Sequence, residues 1–412
     1  MNTETNLKCK MCNSKNLELF LDLGDMPKVD RFLSSNELNE FEPLYPLTVY
    51  MCKNCGLAQL GFIVPATELF DENYAYESST TANRRKNHYE LAEYTCNSFK
   101  IKENSLVVDI GSNVGVLLEG FKNCGMKVVG VDASSNIVKK ANKSGIETIL
   151  GFFDEEIVNK ILNEHGNASI ITATNVFAHI QNYELFIIAL KKLLRSNGIF
   201  VFQVPHFLKL IKNTEYDTIY HEHISYFGLK PLITFFEKNQ MELFDVIETE
   251  IDGGSIRCFV ANKGTHARSS NVDKILADEI EEGIYKIERL KRFEKDVKQQ
   301  NQDLNKILEN LKKSGKKVVG VGAPAKGITL INYCKIDKNI LEYITEKAPL
   351  KIGKFCPGMH IPILPDEKLI EDKPDYAIIF AWNFAKEIMS NLEEYRKSGG
   401  KFLIPIPTPK IV

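Results

Sequence analysis

The sequence predicts an α/β protein in which two units of alternating strands and helices follow a small N-terminal domain of another kind. In the first unit, the β-branched run 105–110 meets a glycine turn and then the apolar helical segment 117–121. A second unit repeats this order at 317–327, and paired cysteines mark the N-terminal domain. Strands that alternate with helices favour doubly wound parallel sheets, which bind ligands at the carboxyl ends of their strands.

Length and composition are those of a globular protein with two or three domains. The chain has 412 residues, of which 44% are hydrophobic and 26% are charged. No apolar run is long enough for a membrane span and the N-terminus is too polar for a signal peptide, so we expect a cytoplasmic protein. The net charge of −2 argues against binding to nucleic acid or to acidic membranes. Nine cysteines then indicate thiols and metal ligands rather than disulfides.

We expect three domains, of which the last is joined to the second by long helices. The expected boundaries are 1–74, 75–265 and 266–412. Apolar residues recur at helical spacing over 272–311, with a break near Gly283 and a stop at Gly315. This pattern predicts a helix that joins two domains, and packing against a second subunit would produce the same pattern.

Two C-x-x-C pairs predict a structural zinc site. The pairs are Cys9 with Cys12 and Cys52 with Cys55, and two such knuckles supply four thiolates for a tetrahedral ion. Four thiolates leave no open coordination position, so the zinc should be structural rather than catalytic. A zinc module that binds nucleic acid is the alternative. However, residues 1–75 hold 6 Lys/Arg against 11 Asp/Glu, a net −5 that repels phosphates.

The glycine turn of the first unit resembles the loop that binds S-adenosylmethionine (SAM) in Rossmann-like methyltransferases. Its order is D-x-G-x-x-x-G at 109–115, unlike the G-x-G-x-x-G of nicotinamide sites. The next strand ends in Asp132, which is placed to accept hydrogen bonds from a ribose diol. An ordinary βα turn would explain the glycines but not an acid at the end of both strands. The residues predicted to bind SAM are Asp109, Gly111, Asn113, Gly115, Asp132, Phe153, Asn175 and Ala178.

A run of titratable residues at 220–223, Y-H-E-H, predicts a reaction centre. It lacks the i, i+4 histidine pair of a metalloprotease, and an H-x-H zinc site would need a third ligand that the sequence does not indicate. Solvated loop histidines are the simplest alternative, but we favour a base with an orienting carboxylate. Tyr74 and Tyr76 precede a hydroxyl cluster, where a strand end before a capped helix and a ligand-facing segment are equally supported.

The second α/β unit carries a phosphate-binding pattern. The loop at 320–327 fits G-x-G-x-x-[GA] loosely and Glu346 follows the next strand, which is a weak dinucleotide signal. Pro324 and Lys326 in the loop favour instead a phosphate held by backbone N–H groups and an ammonium. Trp382, the only tryptophan, ends a predicted strand, where stacking on a base and a place in the core are equally natural.

Together these segments resemble the sugar C-methyltransferase family, which makes C-methyl branched deoxysugars from nucleotide-linked ketosugars. The resemblance covers nearly the whole chain. The matching motifs are the two C-x-x-C knuckles, Tyr74/Tyr76, the SAM loop, 175–179, Y-H-E-H-x-x-Y-F at 220–227, G-G-S-x-R at 253–257, G-A-P-A-K-G at 322–327, P-G-x-H-I-P-I at 357–363 and A-W-N-F at 381–384. Gln203 and the stretch 345–348 depart from the family pattern.

The resemblance implies a SAM-dependent C-methyltransferase that acts, as is typical of the family, at C3 of a dTDP-linked 4-ketodeoxysugar, as a monomer or homodimer. His223 is the expected base, Glu222 would orient an imidazole or hold a substrate hydroxyl, and Tyr220 would donate to the enolate oxygen. Tyr74 or Tyr76 would be a further donor, and His179 and His221 are competing bases. The residues expected to bind the sugar nucleotide are Lys326, Ala325, Asn332, Arg257 and Trp382. A nicotinamide-linked sugar oxidoreductase and a non-catalytic binding protein with this fold are the rival functions.

Overall fold

The computed structural model describes residues 7–69 and 82–412, and these two ranges contain three sheets and the helices around them. In chain order the strands are β1 (Leu17–Met26), β2 (Tyr45–Cys52), β3 (Ala58–Leu60), β4 (Leu106–Ile110), β5 (Lys127–Asp132), β6 (Thr148–Leu150), β7 (Ala168–Thr174), β8 (Leu194–Pro205), β9 (Ser225–Tyr226), β10 (Met241–Thr249), β11 (Ser255–Asn262), β12 (Val318–Val321), β13 (Ile344–Glu346), β14 (Ile363–Pro365), β15 (Tyr376–Ile379), β16 (Lys401–Ile404) and β17 (Lys410–Ile411).

The helices connect these strands in the alternation that the sequence predicts. In chain order they are α1 (Ala66–Leu69), α2 (Ala82–Ser98), α3 (Val116–Asn123), α4 (Ser135–Lys143), α5 (Glu155–His165), α6 (Tyr183–Leu193), α7 (Phe207–Lys212), α8 (Leu229–Lys238), α9 (Ser270–Glu282), α10 (Ile287–Lys313), α11 (Ala325–Tyr333), α12 (Glu367–Asp372), α13 (Ala385–Asn391) and α14 (Glu393–Lys397). Single turns of 3-10 helix lie at Glu37–Asn39, Phe177–His179, Tyr216–Thr218, Ile251–Gly253 and Trp382–Phe384. No helix in these two ranges is both long and apolar enough to cross a bilayer.

The central sheet has the order β10-β11-β8-β7-β4-β5-β6. Strands β4 to β8 are parallel to one another, and β10 and β11 add an antiparallel edge. Every residue of β4 is buried, as expected for a central parallel strand with both faces covered. The carboxyl ends of β4, β5 and β7 therefore lie side by side at one edge of the sheet.

The C-terminal sheet, of order β14-β13-β12-β15-β16-β17, is parallel except for its last strand. The long helix α10 leads into it, and α9 ends where Gly283 adopts a left-handed φ of 76°. Both the predicted break and the predicted stop of this helical region are thus confirmed. Buried residues of α10, such as Phe293 and Val297, belong to one apolar core with side chains of β1 and α11.

The N-terminal sheet is antiparallel, and its fourth strand comes from far along the chain. Its order is β1-β2-β3-β9, and β9 pairs with β3 through Tyr226 opposite Ala58 and Ser225 opposite Gln59. On its other side the segment makes a bridge between Phe227 and His206, beyond the end of β8. The segment 220–227 is therefore held between the N-terminal and central sheets.

Candidate active site

A cavity of about 1240 Å³ lies between the carboxyl ends of the strands in the central sheet and the carboxyl ends of the strands in the C-terminal sheet. Residues of the N-terminal region, including Asp30 and Pro65, close one side of it. Its volume exceeds the roughly 300–1,000 Å³ of a typical small-molecule site. The cavity therefore has room for two ligands at once.

The loop after β4 builds the end of the cavity where the sequence predicts the cofactor, called the cofactor end below. Asp109, the buried residue before that loop, accepts a 2.6 Å hydrogen bond from the Thr172 hydroxyl, and burial raises the pKa of Asp109 to about 7. Gly111 follows with a left-handed φ of 63°, and a Cβ at this position would collide with Val176. A side chain larger than hydrogen would therefore displace the loop.

The acid at the end of β5 is held in place by two backbone donors. Asn113 N donates to Asp132 Oδ2 and Ser134 N donates to Asp132 Oδ1, both at 2.9 Å. Burial raises the pKa of Asp132, while these two hydrogen bonds oppose the shift. Nearby, Ser112 Oγ lines the cavity and is buried without a hydrogen-bond partner among the described residues. A fixed carboxylate and an unpaired hydroxyl fit the ribose and polar groups of SAM.

Most of the predicted cofactor residues line this end of the cavity. Those that do are Asp109, Gly111, Asn113, Asp132, Phe153 and Asn175. Gly115 and Ala178 do not line the cavity and lie behind the residues that do. A Cβ on Gly115 would meet Ile146, and the carbonyl of Ala178 accepts a hydrogen bond from Ile224 N. These two residues support the site rather than face the ligand.

The middle of the cavity is lined by Tyr220, Glu222, His223 and His179. His223 Nδ1 lies 2.8 Å from the carbonyl oxygen of Thr218, and Nε2 lies 2.9 Å from the Tyr220 hydroxyl. Since the carbonyl can only accept, Nδ1 carries the proton and Tyr220 donates to Nε2. Burial lowers the pKa of His223 to about 4 and raises that of Tyr220 well above its usual value. The pair thus consists of a neutral imidazole and a protonated phenol.

The fold separates His221 from the other two candidate histidines. The rings of His179 and His223 are 5.2 Å apart, and both face the cavity. His221 points to the N-terminal sheet, where its ring packs 5.7 Å from that of Tyr45, and it is not part of the lining. The geometry leaves His179 and His223 within reach of a ligand. Tyr74 and Tyr76 lie outside the described residues.

The other end of the cavity is formed by the C-terminal sheet. Ala325 and Lys326 line it, and Lys326 Nζ donates to the main-chain oxygen of Asp252 at 2.6 Å. Trp382 lies behind Lys326, with its ring 5.0 Å from Nζ and its Nε1 donating to Asp217 Oδ2 at 2.6 Å. The indole therefore supports the ammonium group and is not itself part of the lining.

Two predicted substrate-binding residues are directed elsewhere. The Arg257 guanidinium is buried and donates to Gln203 Oε1 at 3.2 Å, across the pairing of β11 with β8. Asn332 Nδ2 donates to the carbonyl oxygens of Ile328 and Pro357. Neither side chain lines the cavity. Both hold elements of the surrounding fold together.

Sequence reasoning missed a cluster of polar residues in the centre of the cavity wall. Arg84 Nη2 lies 2.6 Å from Asp252 Oδ1, and Asn175 Nδ2 donates to Asp252 Oδ2 at 2.9 Å. Although burial alone would raise it, Arg84 and Lys326 hold the pKa of Asp252 below its usual range. His88, one turn after Arg84 on α2, also lines the cavity, and burial lowers its pKa to about 3. Arg84 and Asp252 are 168 residues apart, so no local pattern marks the pair.

The four cysteines of the N-terminal knuckles lie together. All four sulfur atoms are within 4.8 Å of one another, with 3.4 Å between Cys9 and Cys55 and 3.6 Å between Cys12 and Cys52. Thiolates around a tetrahedral zinc ion with Zn–S bonds of about 2.3 Å would lie roughly 3.8 Å apart. The cluster therefore fits a structural zinc ion with small adjustments.

The zinc knuckle also contacts the loop that leads from the cavity into α6. Asn13 Nδ2 donates to Glu184 at 2.7 Å, and Lys10 Nζ donates to the carbonyl oxygen of Gln181 at 3.4 Å. Gln181 and the adjacent Asn182 line the cavity. The zinc site thus supports one wall of the cofactor end.

Comparison with known proteins agrees with this architecture along the whole chain. The family model described as "C-methyltransferase C-terminal domain" matches residues 250–407, "Methyltransferase domain" matches 83–246 and "Putative zinc binding domain" matches 9–70. The C-methyltransferase NovU of Streptomyces niveus is 32% identical over 406 residues, which are 98% of this chain and 96% of that protein.

Other relatives match a smaller part of the chain. A ubiquinone biosynthesis O-methyltransferase of Bartonella quintana is 32% identical over 98 residues, 24% of this chain and 40% of that protein. Among solved structures, the magnesium protoporphyrin IX methyltransferase of Synechocystis with bound SAH is 12% identical, with a TM-score of 0.36, and the match covers 46% of this chain and 90% of that one.

The full-length similarity to NovU and the C-methyltransferase family model agree with the cofactor loop and the cysteine cluster described above. The cofactor is SAM, and the N-terminal cysteines hold a structural zinc ion. This chain belongs to the family of SAM-dependent C-methyltransferases.

Proposed function

We propose that the protein methylates C3, the carbon beside the keto group, of a nucleotide-linked 4-keto-deoxysugar. The observation that carries this proposal is the continuity of one cavity. It joins the SAM loop, the His223–Tyr220 pair and Lys326, so that cofactor, reacting carbon and nucleotide phosphates would lie in sequence. We assign zinc binding to the domain at residues 1–74, methyl transfer to the domain at residues 75–265 and nucleotide binding to the domain at residues 266–412.

The chemistry requires a base and a group that stabilises an enolate. Carbon becomes nucleophilic when a proton is removed beside a carbonyl, and we assign this step to His223 Nε2, a contribution of about 10²–10⁴ in rate. Tyr220, whose hydroxyl donates to His223 Nε2 in this structure, would turn to the enolate oxygen when the substrate binds, which frees Nε2 to accept the proton. Glu222 would hold a substrate hydroxyl. SAM, held by Asp132 and the loop after β4, supplies an electrophilic methyl group when it is bound.

Substrate binding itself should make His223 a better base. Burial is the largest cause of its low pKa, and the positive charge of Lys326 lowers the pKa further. A diphosphate bound at Lys326 would offset that charge. The pKa of His223 would then rise towards the working pH, where an imidazole accepts a proton most effectively.

The test is to incubate the zinc-loaded protein with SAM and a panel of nucleotide-linked 4-keto-6-deoxysugars. We expect release of S-adenosylhomocysteine and a product heavier by one methylene unit, with NMR placing the new methyl group on C3. A methyl group found on oxygen, or no S-adenosylhomocysteine with any ketosugar, would overturn the proposal. Reduction of NAD⁺ by the same panel would favour the oxidoreductase instead.

A further inference from the structure

Lys351 is a buried lysine in the wall of the cavity, on the segment that follows β13. Only 6% of its surface is exposed, although it is part of the cavity lining. Its Nζ donates to the main-chain oxygen of Ala323 at 2.8 Å, three residues before Lys326 in the loop after β12. A lysine seldom lies this deep without a close counter-charge, because a buried ammonium group loses its hydration.

The N-terminal region holds this ammonium group from the other side. The Phe32 ring lies 4.7 Å from Lys351 Nζ, and Asp30 Oδ1 lies 3.8 Å from it. The distance to Asp30 is too long for a hydrogen bond, so Ala323 O is the one hydrogen-bond acceptor of Lys351 among the described residues. An ammonium group has three N–H donors, and two of them are therefore available to a ligand in the cavity.

An anion with more than one charge fits this end of the cavity. Lys326 serves several acids, because its charge opposes the effect of burial on the pKa values of Asp217 and Asp252. A sugar nucleotide carries one negative charge on each of its two phosphates, and this shared ammonium group alone would leave one charge unpaired. Lys347 also lines the cavity but is exposed, where solvent screens its charge. Lys351 is the buried cation that can supply the second positive charge.

We propose that Lys351 is a second phosphate-binding residue, and that Lys326 and Lys351 share the diphosphate of the sugar nucleotide. This inference rests on the proposed function and deepens it. Because Asp30 and Phe32 hold Lys351 in place, the N-terminal region would take part in substrate binding as well as in zinc binding. One hydrogen bond to a charged partner is worth about tenfold to a hundredfold in affinity.

The test compares ligands with and without phosphate on the full-length zinc-loaded protein. Calorimetry with dTDP, UDP and GDP identifies the nucleoside diphosphate that binds, and NMR titration, which reaches weak affinities, measures the matching nucleoside. We expect Lys351→Met, which keeps a side chain of similar length, to weaken the diphosphate about tenfold or more. The affinity for the nucleoside should stay within about twofold of the wild-type value, since the loss of a phosphate contact does not touch it.

Two controls accompany this variant. SAM affinity should be unchanged in Lys351→Met, and Lys354→Met, three residues away and outside the cavity lining, should bind every ligand as the wild type does. Wild-type affinity for the diphosphate in Lys351→Met, or equal losses for diphosphate and nucleoside, would refute the inference and leave the proposed function intact. Failure of the wild-type protein to bind any nucleoside diphosphate would refute both.

Discussion

Lys326 Nζ donates to the main-chain oxygen of Asp252 at 2.6 Å, while the carboxylate of the same aspartate pairs with Arg84 at 2.6 Å. Asp252 adopts a left-handed φ of 60°, which points its carbonyl to the C-terminal sheet and its side chain to the central sheet. One residue thus links the part of the cavity assigned to SAM to the part assigned to the nucleotide.

Replacement of Asp252 by Ala should destabilise the protein and weaken SAM binding. The change leaves the nearly buried Arg84 charge without this partner and frees Asn175, so we expect a loss of about 3 kcal/mol in the free energy of unfolding. Urea denaturation and calorimetry with SAM measure the two effects. The control is Asp273→Ala, which removes an exposed pair with Arg268 and should cost about 0–1 kcal/mol. Equal losses in the two variants would contradict a special role for Asp252.

The pH dependence of stability should carry a contribution from Asp109. Burial raises its pKa to about 7 in the folded protein from an ordinary value of 3.8. Between these values the folded state binds a proton that the unfolded state has released, so this contribution is present below pH 3.8 and is lost as the pH rises to about 7. Between pH 5 and pH 8, the free energy of unfolding of the wild type should fall by roughly 2 kcal/mol relative to that of Asp109→Asn.

Urea denaturation of both proteins at several pH values measures this difference. The pH-dependent contributions of groups that do not interact with Asp109 cancel when the variant is subtracted from the wild type. A constant difference across this range would mean that Asp109 is ionised in the folded protein at pH 5, contrary to the expectation. Thr172, whose hydroxyl donates to Asp109, offers a second comparison through Thr172→Val.

Loss of zinc should affect the cofactor site as well as the N-terminal sheet. Native protein should contain one zinc ion per chain by elemental analysis, and Cys12→Ser or a strong chelator should lower the melting temperature. Because Lys10 and Asn13 of the knuckle contact the loop at 181–184, SAM affinity should fall together with the zinc content. Cys124→Ser, at a half-buried cysteine outside the cluster, should retain both. Native protein without metal would contradict this prediction.

The features that sequence analysis found are those encoded locally. The C-x-x-C pairs and the order D-x-G-x-x-x-G are short patterns, because a knuckle needs two close thiols and a tight turn needs glycine. Glu346 gave only a weak signal, because the glycine loop that precedes it departs from a standard fingerprint.

Contacts between residues that are far apart in the sequence were not predictable. Arg84 stands in a polar run, N-R-R-K, that is typical of a solvated helix face, and its partner Asp252 is 168 residues away. The two-residue strand β9 is too short for any periodicity, yet it holds the segment 220–227 against β3 and determines which histidine faces the cavity. For the same reason the sequence could not separate His221 from His223.

Solvent deuterium exchange at the carbon that receives the methyl group tests the assignment of His223 most directly. We expect His223→Asn to keep its affinity for SAM but to lose exchange and methyl transfer by about 10²-fold or more. The matched control, His221→Asn, lies two residues away and outside the cavity lining, so it should exchange at close to the wild-type rate. If His223→Asn incorporates deuterium and methylates at the wild-type rate, His223 is not the base and the proposed mechanism is wrong.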